Sequence, residues 1–297
     1  MSEKTLKRGS YAVLAGPAVL IYASVVLLPV LFSAIVGFLK WNGFEPPRFI
    51  GLANYREILG DPVFWHNVRN NLLIVAVSVF GQIPIGFVLA YILYRRMVRW
   101  RGFFEAMIFL PITISVVIVG ILWNRMFSPE GVLVTLMREI TGDPRWIFSI
   151  QEDKNWSMVP VLFVILWQFT GLYMVIFLAN MQKITRSMVE AALLDGATEW
   201  AILRKVVVPN LIGVIFVCVI FATAGSLKTF DLIYSLTSGG PARYTEVLSI
   251  YAYGHTFGSS KNPYGLGSAS SVLIILLSVV LIQVARGFFR FFEKKYD

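Results

Sequence analysis

Val206-Val207-Val208-Pro209-Asn210-Leu211-Ile212-Gly213-Val214-Ile215-Phe216-Val217-Cys218-Val219-Ile220-Phe221-Ala222-Thr223-Ala224-Gly225-Ser226-Leu227 runs for 22 residues without one charged side chain. A bilayer's hydrocarbon core is about 30 Å thick and takes about 20 apolar residues of α-helix to cross. The run therefore reads as a membrane span. Outward from it the same character recurs at residues 13–38, 71–94, 103–123, 158–179 and 269–289. Lipid offers no partner to a backbone amide, so these segments are expected as helices, with Pro29, Pro84 and Pro111 tolerated as kinks. The whole chain agrees: of 297 residues 57% are hydrophobic and only 14% charged, with mean hydropathy +0.71, against about 25% charged in soluble domains. The expected fold is all-α, a polytopic membrane bundle of about six transmembrane helices. It forms one transmembrane domain over residues 1–297, with no internal repeat.

The net charge of +9 is distributed beside span ends and is not gathered on one soluble face, which argues against nucleic-acid binding. Alternate short segments hold Lys4, Lys7, Arg8, then Arg95, Arg96, Arg99, Arg101, then Lys183, Arg186, Arg204, Lys205, then Arg286, Arg290, Lys294, Lys295. That is 15 of the 26 basic residues. The longer loops at 39–70, 124–157 and 228–268 hold the rest together with Glu45, Asp61, Glu130, Asp143 and Asp153. The positive-inside rule then places both termini in the cytoplasm. The first apolar run is long and lacks a small-residue cleavage site, so it is expected to be a retained helix. The third outside loop is expected to be built of turns, from Ser238-Gly239-Gly240-Pro241 and Lys261-Asn262-Pro263-Tyr264-Gly265. The sequon-like Asn155-Trp156-Ser157 carries no weight.

Just before the quoted run stands Glu190-Ala191-Ala192-Leu193-Leu194-Asp195-Gly196-Ala197, then Leu203, with Pro209 inside the run itself. Glu190 to Asp195 favour a helix and Gly196 permits a sharp turn. Thr198 can cap a second helix, with Glu199 in its first turn. Ala191, Ala192 and Ala197 keep the surface low, and Leu193, Leu194, Trp200 and Leu203 offer apolar bulk for a partner's groove. Pro209 suits the first turn of the fifth span. An amphipathic connector on the membrane surface is the plainer reading of composition alone. The order of residues, with Pro209 thirteen after Gly196, resembles instead the EAA loop of the permeases of binding-protein-dependent ABC importers.

The resemblance covers nearly the whole chain. Lys40-Trp41-Asn42-Gly43-Phe44, Phe49-Ile50-Gly51-Leu52-Ala53-Asn54-Tyr55, Phe109-Leu110-Pro111, Phe230-Asp231-Leu232-Ile233-Tyr234 and Gly239-Gly240-Pro241 are similar to the carbohydrate-uptake branch, and to the maltose-type first permease subunit. Leu203 replaces the usual Phe and Ile184-Thr185 the usual Ile-Pro, changes that bear on the fine geometry of the loop. The resemblance implies a bacterial inner-membrane, multi-pass permease of an importer for a sugar or related carbohydrate. Its partners would be a second homologous permease, two ABC ATPase subunits, an extracytoplasmic solute-binding protein and the lipid bilayer. The loop within residues 180–209 would be the cytoplasmic coupling helix through which ATPase closure rocks the spans from inward- to outward-facing. Glu190 would pair with a basic group on the ATPase, and Gly196 would supply backbone geometry.

No Gly-Lys dipeptide occurs, so this chain lacks a phosphate-binding loop. It is expected to be no enzyme and to hold no cofactor, with ATP and Mg on the partner ATPase. His66 and His255 stand apart from other ligands, which disfavours a metal site. Cys218, the only cysteine, can close no internal disulfide and reads as a small hydrophobe. No Gly-x-Ser-x-Gly elbow occurs, and no span carries an ionisable residue at mid-depth, where a proton-driven carrier would need one. Glu105 reads as a partner of Arg99 or Arg101. The alternatives are an ATP-independent secondary carrier or channel, and an intramembrane enzyme.

A sugar path needs aromatic faces and a few amides or hydroxyls on bundle-facing sides of spans. Trp167, Gln168, Thr170 and Tyr173 of the fourth span qualify, with Gln82 of the second and Asn124 at the end of the third. Thr170 and Tyr173 share a helical face at a spacing of three. Polar side chains in membrane helices also serve as plain interhelical hydrogen bonds.

Overall fold

The structure, a computed structural model, describes residues 14–143, 156–258 and 262–296, with backbone only for Arg186 and for 290–296. Val13, Lys4, Lys7, Arg8, Asp153, Asn155 and Lys261 lie outside the described residues, as do the side chains of Arg186, Arg290, Lys294 and Lys295.

Among the described residues five helices are long and apolar enough to cross a membrane: α1 (Leu14–Val36), α3 (Pro62–Tyr94), α7 (Met158–Met181), α9 (Glu199–Lys228) and the Pro263–Phe289 part of α12 (Pro263–Tyr296). The third expected span is not one helix. It divides into α4 (Arg101–Thr113) and α5 (Val116–Met126), bent by 95°. Pro111 lies within α4, and Ile114 and Ser115 take extended backbone, so the helical ladder stops there. Gln168 of α7 reaches the break and donates to the carbonyls of Pro111 at 2.7 Å and Ile114 at 3.3 Å. In lipid a freed carbonyl needs such a donor.

Three other prolines sit inside continuous helices by one shared device. Pro29, Pro84 and Pro209 each stand two residues beyond a π-helical turn, at Ala23–Leu27, Ser78–Gln82 and Leu203–Val207. After each turn one amide reaches back five residues: Leu28 to Ala23, Ile83 to Ser78 and Val208 to Leu203. The widened turn accommodates a ring that would otherwise clash with the carbonyl four residues back. The expected place of Pro209 in a first turn is thereby corrected. It lies inside α9, which runs unbroken from Glu199.

The described chain divides into two compact units. The first joins residues up to Asp61 with Ala252–Ile275. After α1 comes a small hairpin, β1 (Leu39–Lys40) antiparallel to β2 (Arg48–Phe49), then α2 (Ala53–Gly60). Buried Asn54 donates to the carbonyls of Gly37 and Leu39 at 2.9 Å each and accepts from Asn262 at 2.7 Å. Asn262 also accepts from the Trp41 amide at 2.7 Å, and the Tyr264 ring packs on Trp41. Three segments far apart in sequence thus close on one pair of asparagines.

The second unit comprises Pro62–Tyr251 and the chain from Leu276. Its core packs α3, α7 and α9 around Tyr91, Tyr173, Met174, Phe177, Ile202, Leu211 and Cys218. Gly171 lets α4 lie directly on α7, since a Cβ there would fall on the Ile108 carbonyl and 3.0 Å from the Phe109 Cα. A second cluster joins α5, the start of α7 and α10 (Asp231–Thr237) around Val119, Phe127, Val161, Ile233 and Leu236. The third outer loop holds more than turns: α10 and α11 (Leu248–Phe257) flank the turn at Ser238 and Gly239, whose φ angles are 52° and 85°.

Candidate functional site

The loop that resembles a coupling segment is a short helix, a turn and the start of a long helix. α8 (Arg186–Leu194) ends in a turn at Gly196, whose φ of +75° is the left-handed region where only glycine is free of strain. The Ala197 amide bonds the Ala192 carbonyl at 2.9 Å and the Gly196 amide bonds Leu193 at 3.0 Å. These two bonds form the Schellman closure of a helix C-terminus. Thr198 then caps α9, its hydroxyl accepting from the Ala201 amide at 3.3 Å.

Side chains of the loop sort onto two faces. Glu190, Ala191, Leu193, Leu194, Asp195 and Trp200 are exposed, Leu194 at 89% and Trp200 at 68%. Ala192, Ala197 and Leu203 pack inward against the core that holds Tyr91 and Ile202. Leu203 is therefore not an outward knob: at the start of the π-turn Leu203–Val207 it packs half-buried on the core. The apolar surface left for a partner is Leu193, Leu194 and Trp200.

Glu199 ties this loop to the second span. Arg95, which caps α3, donates from Nε at 2.9 Å and from Nη2 at 2.5 Å to the Glu199 carboxylate. The Tyr91 hydroxyl donates to the same carboxylate at 2.7 Å. Hydrogen bonding to Glu199 raises the Arg95 pKa above its ordinary value. Beside α8 an open cleft of about 690 Å³ is lined by Tyr94, Arg95, Arg96, Arg101, Gln182, Ile184, Val189, Glu190 and Leu193. Glu190 makes no ion pair among the described residues and stands free at this cleft, whereas Arg101 pairs with Glu105 at 3.8 Å.

Of the residues proposed for a solute path, Gln82 and Tyr173 line one cavity of about 190 Å³ between α3, α7 and α9. Its other polar groups are Ser78, Ser226 and Thr229, and Ile74, Ile165, Phe169, Leu172 and Phe221 supply apolar walls. Tyr173 shares this cavity with Gln82, whereas Thr170 does not line it and its hydroxyl turns back to the Leu166 carbonyl at 2.5 Å. Gln82 also donates to the Ile165 carbonyl at 2.7 Å, and Asn124 to that of Leu236 at 2.6 Å. Gln168 serves the α4–α5 break. Trp167, at the half-exposed edge of α7, packs edge-on against Trp123.

Over residues 82–297 the sequence matches the family described as the binding-protein-dependent transport system inner membrane component. The chain belongs to this family. A probable ABC transporter permease protein of Pyrococcus horikoshii is 34% identical over 270 residues, covering 89% of this chain and 91% of the relative. The lactose transport system permease protein LacF of Rhizobium radiobacter is 34% identical over 269 residues, 89% of each chain. In fold, the chain resembles a permease in the crystal structure of a bacterial alginate ABC transporter, with TM-score 0.82 at 21% identity over 98% of each chain. The permease is thus a multi-pass inner-membrane transport subunit of a binding-protein-dependent ABC importer, and ATP hydrolysis belongs to a separate subunit.

Several contacts of the permease have no local signal in its sequence. Arg95 and Glu199 read as a topology marker and a helix-start acid, and only the fold brings them together. The same holds for Asn67, Asn70 and Asn71, which share one face of α3. α3 begins at Pro62, nine residues before the expected span, so these asparagines belong to a helix and not to a loop edge. Asn67 donates to buried Glu246 at 2.9 Å, Asn70 to the Glu246 and Tyr244 carbonyls at 2.8 Å each, and Asn71 accepts from the Leu248 amide at 2.9 Å. Glu246 also takes a two-pronged pair from Arg243. His66 packs edge-on to Tyr244, with Nε2 3.1 Å from its carbonyl.

Proposed function

We propose that this permease passes a sugar or related carbohydrate and couples ATP-driven motion to its spans through the Glu190–Ala197 loop. It works with a second homologous permease, two ABC ATPase subunits that hold ATP and Mg, and an extracytoplasmic solute-binding protein. Both termini face the cytoplasm, on the side where the arginine-rich 95–101 segment meets α8. The observation that carries the reading is the loop itself: a Schellman turn at Gly196 presents Leu194 at 89% exposure, at the end of the short helix α8 that the turn joins to α9, the fifth span. An exposed leucine on a rigid turn is a knob for a partner's groove.

The carbohydrate class rests on relatives named for lactose and for trehalose and maltose transport, the latter from Thermococcus litoralis at 30% identity over 89% of each chain. The cavity at Gln82 and Tyr173 supports it, since aromatic and amide groups over apolar walls suit a sugar's two faces. Glu190, at the arginine-lined cleft, pairs with a basic group of the ATPase.

The test is purification of the chain from its native membrane in mild detergent, with mass spectrometry of what stays bound. A second permease and an ABC ATPase are expected. Recovery of the chain alone, with transport in liposomes that lack ATP, would establish a secondary carrier instead.

A further inference from the structure

Helix lengths differ greatly within the second unit: α6 (Val132–Thr141) has ten residues, whereas α3 has 33 and is about 50 Å long. The π-turn at Ser78–Gln82 leaves α3 unbroken, and two buried bonds hold it at that point. The Ser226 hydroxyl reaches the Ser78 hydroxyl at 3.1 Å, and Gln82 donates to the Ile165 carbonyl at 2.7 Å. One end of this long helix carries the Arg95–Glu199 pair and the Tyr91 hydroxyl bond. The other end carries a row of buried side chains.

Phe64, Asn67 and Asn71 recur at spacings of three and four, and Asn70 stands three residues after Asn67, so all four lie along one side of α3. None is more than 5% exposed. Each is engaged with the 244–251 segment. The Phe64 ring meets Tyr251 edge-on, Asn67 donates to the Glu246 carboxylate, and Asn70 donates to the Tyr244 and Glu246 carbonyls. Asn71 accepts from the Leu248 amide, the first of α11, and donates to the Ser226 carbonyl at 2.9 Å.

Ala242 and Arg243, just ahead of that segment, hold left-handed φ angles of 44° and 68°. Residues other than glycine keep such a conformation only where their surroundings over-determine it. Glu246, 5% exposed, supplies the constraint by taking the Arg243 guanidinium and the Asn67 amide at once. Asn67 and Glu246 are 179 residues apart, so the attachment to α3 owes nothing to chain proximity. The sequence neighbour of the segment is α10, which packs on α5 instead.

We propose that Asn67, Asn70 and Asn71 are positioning residues of the transport cycle. They make residues 242–248 a rigid extension of α3, so that motion entering at Arg95 is delivered to the opposite end of the helix; this rests on the coupling role of the Glu190–Ala197 loop. Without the asparagines the segment would follow α10 and α5. Ala242, Arg243 and Tyr244 form its exposed tip.

The full importer in lipid nanodiscs, with Cys218→Ala in this chain, would carry labels at Arg69→Cys, on the exposed side of α3, and at Ala242→Cys, on the tip. With nitroxides at both, the distance between them is expected to be the same without nucleotide and with ATP and vanadate. With an environment-sensitive fluorophore at either position alone, emission at both is expected to shift on adding ATP and vanadate. In Asn67→Ala and in Asn70→Ala the label at 69 should still respond and the ATPase should still co-purify, whereas the shift at 242 is lost and uptake falls by about fivefold or more. A wild-type distance that changes with nucleotide, or a shift at 242 that survives in both asparagine variants, would overturn the proposal alone. No shift at either label in wild type would overturn the coupling role and the proposal with it. The wild-type distance needs no asparagine variant, so the test stands if neither of them assembles.

Discussion

Arg95 and Glu199 are 104 residues apart in sequence and form a two-pronged ion pair that fastens the C-terminal end of α3 to the first turn of α9. Glu199 follows the Gly196 turn by three residues, so in the proposed coupling a displacement of α8 would reach the second span through this pair. The pair is partly exposed, with side-chain accessibilities of 19% and 48%, and contributes about 1 kcal/mol or less to stability. Glu199→Gln is therefore expected to shift the unfolding midpoint by no more than about 4 °C. Uptake should fall by about fivefold or more, the size of a typical coupling energy. Exchanging the two residues, Arg95→Glu with Glu199→Arg, should restore part of the uptake. A swap as inactive as the single variant would show that the pair does not transmit the motion.

Leu194→Ala separates interface from fold. The side chain is almost fully exposed, so the isolated permease should lose no more than about 0.5 kcal/mol. As an anchor in a partner's groove the leucine is worth about 1 kcal/mol or more, and retention of the ATPase on the tagged permease should drop when the ATPase is titrated at limiting concentration. Retention equal to wild type would remove Leu194 from the contact.

Gln168 is fully buried and bonds two carbonyls at the α4–α5 break. Gln168→Leu leaves both without that donor, at a cost of about 1–3 kcal/mol. The expected result is a lowered midpoint of thermal unfolding in detergent, with normal helix content by circular dichroism. An unchanged midpoint would mean that the break is supported elsewhere.

Tyr173→Phe removes one hydroxyl from the cavity shared with Gln82 and keeps the ring. If sugar passes there, the KM for uptake should rise about two- to tenfold, the worth of one hydrogen bond. Sugar binding to the isolated solute-binding protein should not change. A variant with wild-type KM would place the path away from this cavity.

The spans were legible because hydropathy averages over about 20 residues, and the Gly196 turn because glycine alone suits its φ. Helix ends were less so: α3 and α9 continue beyond their apolar parts to Pro62 and Glu199 through polar turns that a hydropathy reading takes for loop. The π-turns ahead of Pro29, Pro84 and Pro209 and the 95° break are backbone responses to proline that depend on donors supplied by neighbours, such as Gln168 at the break. Leu203 reads as an outward leucine until the packed helices set it against the core. The pairs Arg95–Glu199, Asn67–Glu246 and Asn54–Asn262 join residues far apart in sequence, so only the packed helices bring them into contact.

The most direct test of coupling is ATP-driven uptake in proteoliposomes that hold the full importer, with Gly196→Asp beside wild type. Among the described residues beyond its chain neighbours nothing lies within 4 Å of a Cβ at Gly196, so the added group projects into the open space where the proposed coupling puts the ATPase, while the left-handed backbone adds about 1–2 kcal/mol of strain. The expected outcome is an ATPase that still co-purifies in part and uptake that is abolished. Wild-type uptake by Gly196→Asp would contradict the account.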